Sequence, residues 1–228
     1  MKKRRKLKSW PITLTFFLVV FGILIYCVID IKSSLLNKKG STKVQVLDKM
    51  DDYDYLLNEN DPKYFKSLFK LLKKELEKDP VNEENYASLI SQLFIVDFFS
   101  LDSAINKNDI GGEQFVYKDY RPTFLKFAKD GIYKYVENNI YKNRKQQLPI
   151  VSKVEITDVK SASYTSNSGV NDESAFYVSV KISYEVDMQY QTVATLTLVH
   201  NDNKRWNKRF NIWIFYLLYL KNYVRIYL

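Results

Sequence analysis

The chain has 228 residues, of which 35 are Lys or Arg and 26 are Asp or Glu, for a formal charge of +9. Its two ends, residues 1–9 and 204–228, each hold six basic residues and no acid, so the chain between them is mildly acidic. This distribution excludes a basic folded domain and gives nucleic-acid binding no electrostatic support. A hydrophobic content of 46% excludes a disordered chain. One Cys and one His leave no internal disulfide and little material for a metal site, so we expect no cofactor.

An uncharged apolar segment follows the basic N-terminal stub. From Ser9 to Ile29 the sequence carries no charge, and as a helix this run is about 30 Å long, the thickness of a bilayer's hydrocarbon core. Because cytoplasmic flanks are enriched in Lys and Arg, residues 1–9 are predicted to be a cytoplasmic stub. We therefore predict a transmembrane helix over residues 10–31, in a single-pass protein of the cell membrane with the bulk of its chain extracytoplasmic.

A cleaved signal peptide and a lipoprotein signal are the alternatives to an uncleaved anchor. Cleavage requires small residues after the apolar run, and Ile25 to Asp30 contains none. The segment ending at Cys27 resembles a lipobox only superficially, because the large Tyr26 stands where a small residue is needed. The uncleaved anchor fits the sequence best.

Residues 32–60 are predicted to be a juxtamembrane linker and helix. Residues 32–43 are mostly polar, and apolar residues then recur at helical spacing as far as Leu57. Three acids are expected on the solvent side of this helix: Asp51, Asp52 and Asp54.

Three clearer helices follow. The first begins at Asp61-Pro62, where Asp suits the N-cap and Pro the first helical position, and ends at Asp79-Pro80. The second starts after Asn82 and runs to about Leu101, with apolar residues around so much of its circumference that it should be largely buried. A turn over residues 108–112 precedes the third helix, which opens at residues 120–122 and whose apolar stripe continues to residue 140.

The apolar period changes from 3.6 to 2 at Leu148-Pro149. Residues 150–165 form one strand or a bent pair, residues 176–186 alternate strictly, and residues 190–200 form a partner strand. Helices followed by antiparallel strands predict an extracytoplasmic α+β domain over residues 61–203, with the helices packed on a curved antiparallel sheet.

Residues 204–228 form an atypical basic aromatic tail that contains no Gly, Ala, Ser, Thr, Asp or Glu. Three accounts of this tail remain open: a cationic aromatic segment on the membrane surface, a final strand plus a tail, or a reading-frame shift that replaced the original strand. The composition, which is unlike that of the preceding hundred residues, favours the frameshift.

The order of a basic stub, one anchor, and helices that precede antiparallel strands resembles the membrane-anchored NTF2-like (cystatin-like) proteins, in particular the VirB8 and TcpC type of conjugation-channel component. The resemblance covers nearly the whole chain and rests on element order. It implies an NTF2-like exterior domain that self-associates and docks other channel subunits without catalysis. The tail departs from the pattern, because a regular closing strand is expected after Asn203.

Asp97 is the candidate pocket acid. It lies within an apolar stretch of the second helix, where a carboxylate must be paired or have a raised pKa. The sequence favours the simpler interpretation that Asp97 is capped or exposed on the polar edge of the helix. NTF2-like enzymes place acids between helices and sheet, so the resemblance implies such a place for Asp97.

His200 is interpreted as a surface His at a turn. Five tyrosines off the main apolar stripes are candidates to face a partner: Tyr117, Tyr120, Tyr133, Tyr141 and Tyr177.

We therefore expect a membrane protein whose exterior domain is a non-enzymatic scaffold for protein assembly in a secretion or conjugation apparatus. Its partners are the lipid bilayer, through residues 10–31, and other envelope proteins or a second copy of the chain. Two alternatives stay open: an NTF2-like domain that binds or converts a small ligand, and a cell-envelope protein of unknown role. A deep polar pocket at Asp97 favours ligand binding, whereas a filled interior with an exposed Tyr-rich face favours assembly.

Overall fold

The computed structural model describes residues 45–166, 169 and 171–200 and the backbone of residues 201 and 209–213. The predicted stub, the transmembrane helix over residues 10–31 and most of the 204–228 tail lie outside these residues. Among the described residues, no helix combines the length and the apolar character that crossing a membrane requires. They all belong to one compact unit, residues 44–228.

The described chain is α+β, as predicted, with three α-helices and two antiparallel sheets. The elements in chain order are β1 (Val46–Met50), β2 (Tyr55–Asn58), α1 (Lys63–Leu76), α2 (Glu83–Phe99), α3 (Arg121–Asp130), β3 (Val151–Thr165), β4 (Asn171–Tyr184), β5 (Val193–Asn201) and β6 (Arg209–Trp213). A two-stranded sheet pairs β1 with β2, and a four-stranded sheet has the order β3-β4-β5-β6.

Residues 46–58 form a β-hairpin, and the helix predicted within residues 32–60 is wrong there. Asp54 takes a left-handed conformation, φ 53°, in the turn, as Asp tolerates. The hairpin buries Met50, Tyr53, Tyr55 and Leu57 in the core, and the hydroxyl oxygens of Tyr55 and Tyr86 lie 2.8 Å apart. The folded unit therefore includes the hairpin and begins well before the predicted boundary at residue 61.

The two helix starts differ in how they are capped. Asn82 is the N-cap of α2, as predicted, and its side chain accepts a hydrogen bond from the Asn85 N–H at 2.9 Å. Asp61 does not cap α1, whose N-cap is Pro62. Asp61 Oδ2 instead accepts the Asn58 N–H at 2.7 Å and so closes the chain reversal between β2 and α1.

Helix α2 is the centre of the core. It packs against α1 on one side and against β3 and β4 on another, and Gln92 Nε2 donates to the Val154 carbonyl at 2.9 Å. The interior between these helices and the sheet is filled by buried apolar side chains, which include Phe65, Leu72, Ile90, Phe94, Val154, Val178, Val180 and Leu196.

Helix α3 ends at Asp130, although the apolar stripe continues to Ile140. Gly131 is its C-cap, and residues 131–147 continue as turns and irregular chain. Ile132, Tyr133 and Val136 are nevertheless buried. The apolar residues that predicted a longer helix therefore lie on a loop, where Ile132 and Val136 face inward and Ile140 is exposed.

The four-stranded sheet follows the predicted strand order. β3 is one long strand with three register shifts against β4, and such irregularities bend a strand and increase its twist. β5 pairs with β4, and the backbone of β6 pairs with β5, with His200 opposite Phe210. This pairing agrees with the account of residues 204–228 as a final strand plus a tail.

A truncation tests whether the hairpin belongs to the domain. A chain that starts at residue 61 loses four buried side chains, each contributing about 1.5–3 kcal/mol, and their total is comparable with the whole stability of a small domain. We expect this chain to lack a cooperative thermal transition by circular dichroism. A chain that starts at residue 45 is the control and should unfold cooperatively. Equal melting temperatures for the two would show that the hairpin is dispensable.

Candidate ligand pocket at Asp97

A pocket of about 350 Å³ opens between the end of the hairpin, the C-terminal half of α2 and the loop that follows α2. None of the residues that line it comes from β3, β4 or β5, so it lies outside the interior between helices and sheet. Its polar lining residues are Asn58, Asn60, Asp61, Asp97, Ser103, Asp109, Glu113, Gln114, Arg121 and Tyr133.

Asp97 fastens the loop after α2 to that helix. Its Oδ2 accepts the Gly112 N–H at 2.7 Å, and Gly112 has φ +80°, a conformation that L side chains rarely adopt. Gly111 packs directly on the Asp97 backbone, so that an added Cβ would overlap the Asp97 carbonyl oxygen. The Gly-Gly pair is therefore required by this close approach, which is more specific than the simple turn that the sequence predicts.

Tyr133 also holds the loop after α2 against the C-terminal end of that helix. Its hydroxyl donates to the Phe98 carbonyl at 2.8 Å and accepts the Gly111 N–H at 3.0 Å. Burial, together with the Asp97 charge, raises the pKa of Tyr133, so the phenol stays protonated. The side chain is 1% exposed, which corrects the expectation that Tyr133 faces a partner.

The hairpin side of the pocket is held by Gln114. Its side chain accepts the Leu56 N–H at 2.8 Å and donates to the Leu56 carbonyl at 3.2 Å, as a neighbouring strand would. These bonds join the loop after α2 to β2 across 58 residues of sequence. The hairpin, the C-terminal half of α2 and the loop after α2 therefore meet at the pocket, where hydrogen bonds between side chains and the backbone hold them together.

The pocket wall is predominantly acidic. Burial raises the pKa of Asp97 to about 7; the Gly112 N–H opposes this shift, and the charges of Asp61 and Asp109 add to it. Asp97 keeps some contact with solvent through the pocket, but protein atoms surround it closely enough for desolvation to dominate. Near neutral pH it can therefore act as a hydrogen-bond acceptor or, when protonated, as a donor.

The other four candidate tyrosines differ in exposure and in contacts. Tyr141 is 80% exposed. Tyr117 packs on the small cluster of Ala175 and Val199, Tyr120 packs against the main core, and the Tyr177 hydroxyl donates to the Ser163 carbonyl at 3.3 Å.

His200 is a mostly buried side chain at the end of β5, and its interpretation as a surface residue is wrong. Its side chain is 8% exposed, and Nδ1 lies 2.9 Å from Asp172 Oδ2. The His200 backbone N–H donates to the same oxygen at 2.7 Å. Burial opposes ionisation of Asp172, but the hydrogen bonds from His200 and Ser174 outweigh it and lower the pKa of that carboxyl. This pair lies away from the Asp97 pocket and ties β4 to β5.

The sequence singles out Asp97 as a pocket acid but does not predict which residues join it. Asp61 is predicted as a helix cap, Asp109 as part of a turn and Arg121 as part of a helix start, and nothing in the sequence singles out Glu113. For Asp109 and Glu113, the only signal in the sequence is the density of polar residues over residues 108–114. Among the described residues, no group of three His, Cys, Asp or Glu side chains is arranged to hold a metal ion.

Comparisons with family models, curated proteins and solved structures find no match for this chain.

The raised pKa of Asp97 predicts a pH-dependent effect of Asp97→Asn. The ordinary Asp value is 3.8, so the folded state binds this proton more tightly than the unfolded state, and stability is lost as the pH rises from about 4 to about 7. Asn has no charge to desolvate and keeps an oxygen for the Gly112 N–H. We expect denaturant titration at pH 8 to show a free energy of unfolding about 1–3 kcal/mol higher for the variant, and nearly no difference at pH 4.

Asp130→Asn is the control, because Asp130 is an exposed residue at the end of α3. It should not reproduce the gain at pH 8. If Asp97→Asn is instead less stable than the parent chain at pH 8, the charged carboxylate is a net stabilising group and the electrostatic account of this site is wrong.

Proposed function

We propose that this chain is a single-pass membrane protein, anchored through residues 10–31, whose extracytoplasmic domain is a non-enzymatic scaffold for protein assembly. A secretion or conjugation apparatus is the proposed setting, with other envelope proteins or a second copy as partners. The observation that supports the scaffold role is the interior between the described helices and the sheet, which is filled by apolar side chains.

The proposed architecture is NTF2-like. Three helices precede an antiparallel sheet with a long, irregular first strand, and this element order supports the class. The membrane assignment is supported by the uncharged run from Ser9 to Ile29 after six basic residues.

Crosslinking in membranes tests both parts of the proposal. The full chain should sediment with membranes, resist carbonate extraction, and be recovered after lysine-directed crosslinking in discrete species larger than the monomer. The matched control is Leu18→Arg/Ile23→Arg, since each Arg near the centre of a transmembrane helix costs about 2.5–3.5 kcal/mol. This variant should leave the membrane and lose the larger species.

Two results would contradict the proposal, and they are distinguishable. Recovery of only monomer from the membrane fraction would refute the assembly role and leave the anchor intact. Extraction of the parent chain by carbonate would refute the anchor.

The pocket at Asp97 supports a second candidate function, the binding of a small organic cation. The pocket volume of about 350 Å³ is in the range of small-molecule sites. Its wall combines Asp61, Asp97, Asp109 and Glu113 with a single Arg121, so its field favours a positive charge.

Putrescine is a suitable probe of this pocket. At millimolar concentration it should raise the melting temperature of the chain at pH 8, where Asp97 is mostly ionised, and raise it less at pH 5.5. Asp97→Asn should remove the pH 8 effect, whereas the control Asp130→Asn should retain it. An equal temperature shift in both variants would show non-specific binding to an acidic surface and refute this function.

A further inference from the structure

Residues 131–147, which we name the aromatic loop, are irregular in backbone but firmly held at their base. Arg144, whose side chain is 2% exposed, donates to the Ala104 carbonyl at 2.8 Å and to the Asp102 carbonyl at 2.7 Å. The Asn139 N–H donates to the Ile105 carbonyl at 2.7 Å. With Ile132, Tyr133 and Val136 in the core, the loop has a fixed shape and is not a loose connection.

This fixed loop presents large apolar side chains to solvent. Tyr141 is 80% exposed, Tyr135 54% and Ile140 40%. Gln146 joins the two arms of the loop, because its side chain donates to the Tyr135 carbonyl at 2.9 Å and accepts the Glu137 N–H at 3.0 Å. Several large exposed apolar residues on one ordered loop are typical of a surface that meets a partner.

Lysines flank these side chains. Lys134, Lys142 and Lys145 are exposed, and within the described part of the chain no carboxylate pairs with any of them. The Lys134 Nζ lies 5.0 Å from the centre of the Tyr135 ring. Glu137 is the only acid in the loop, although the domain as a whole is acidic. The exposed loop is therefore both aromatic and cationic.

We propose that the aromatic loop docks on the surface of an anionic bilayer, the same membrane in which residues 10–31 are proposed to anchor the chain. Tyr rings favour the headgroup level, Lys stems reach from there to lipid phosphates, and each Lys near an anionic surface contributes to attraction. Residues 32–45 extend to about 50 Å at most, which is the length of chain available between the proposed anchor and the domain.

This inference rests on the proposed membrane anchor, and the experiment separates the two. The full chain with Cys27→Ala receives a single cysteine by Tyr141→Cys, labelled with an environment-sensitive fluorophore. A matched chain carries the label at Lys181→Cys, an exposed position on β4. Each is reconstituted into nanodiscs of phosphatidylcholine alone or with phosphatidylglycerol. A third chain adds Lys134→Gln, Lys142→Gln and Lys145→Gln to the Tyr141 label.

We expect a blue shift of the label at position 141 in the anionic discs only, no shift at position 181, and loss of the shift in the triple Gln variant. Equal spectra at position 141 in the two disc types would overturn the docking while leaving the anchor intact. A shift that grows with protein concentration in detergent would show that a second copy covers the loop, which also overturns it. A chain that does not enter discs refutes the anchor. In that case co-sedimentation with phosphatidylglycerol vesicles tests the docking separately: docking requires that the parent chain bind the vesicles and that the triple Gln variant not bind them.

Discussion

Burial of α2 is the constraint on which the rest of this structure depends. The helix carries apolar residues around most of its circumference, and ten of its seventeen residues are buried, so no single neighbouring layer can cover it. The sheet covers one side, α1 another, and the hairpin contributes Tyr55 against Tyr86. The loop after α2 covers the C-terminal half, where Gly112 packs on Phe94. Each surrounding element has its place because one side of this helix would otherwise meet water.

The sequence predicts the elements whose pattern is set locally and misreads those set by contacts with α2. The start of α2 at Asn82 and the alternation in β4 follow from capping and period. In the hairpin the sequence predicts a helix, because apolar residues such as Leu47 and Met50 have helical spacing. In the structure Leu47 is half exposed, and Tyr53 and Tyr55 reach the core instead. The apolar stripe likewise predicts too long an α3: the helix ends at Asp130, and beyond Gly131 the irregular chain places the Tyr133 hydroxyl within hydrogen-bond distance of the Phe98 carbonyl.

The candidate site likewise combines one residue that the sequence predicts with partners that it does not. An acid within an apolar stretch is visible in sequence, and the structure gives Asp97 the raised pKa that such burial produces. The partners of Asp97 are not visible, because Gly111 and Gly112 meet it only through the return of the following loop, and Asp61 arrives from the hairpin side. Sequence spacing carries no information about such encounters between distant segments.

The pocket and the aromatic loop are physically connected through Tyr133. This residue lies in the loop, yet it also lines the pocket, and its hydroxyl bonds both the Phe98 carbonyl and the Gly111 N–H. Gly111 is in turn adjacent to Gly112, whose N–H bonds Asp97. A change in the charge of Asp97 therefore acts on a hydrogen-bond chain that ends at the base of the loop. Since the base is also fixed by Arg144, the loop is expected to hold its shape in both protonation states, and the acid affects the stability of the junction more than the geometry of the exposed surface.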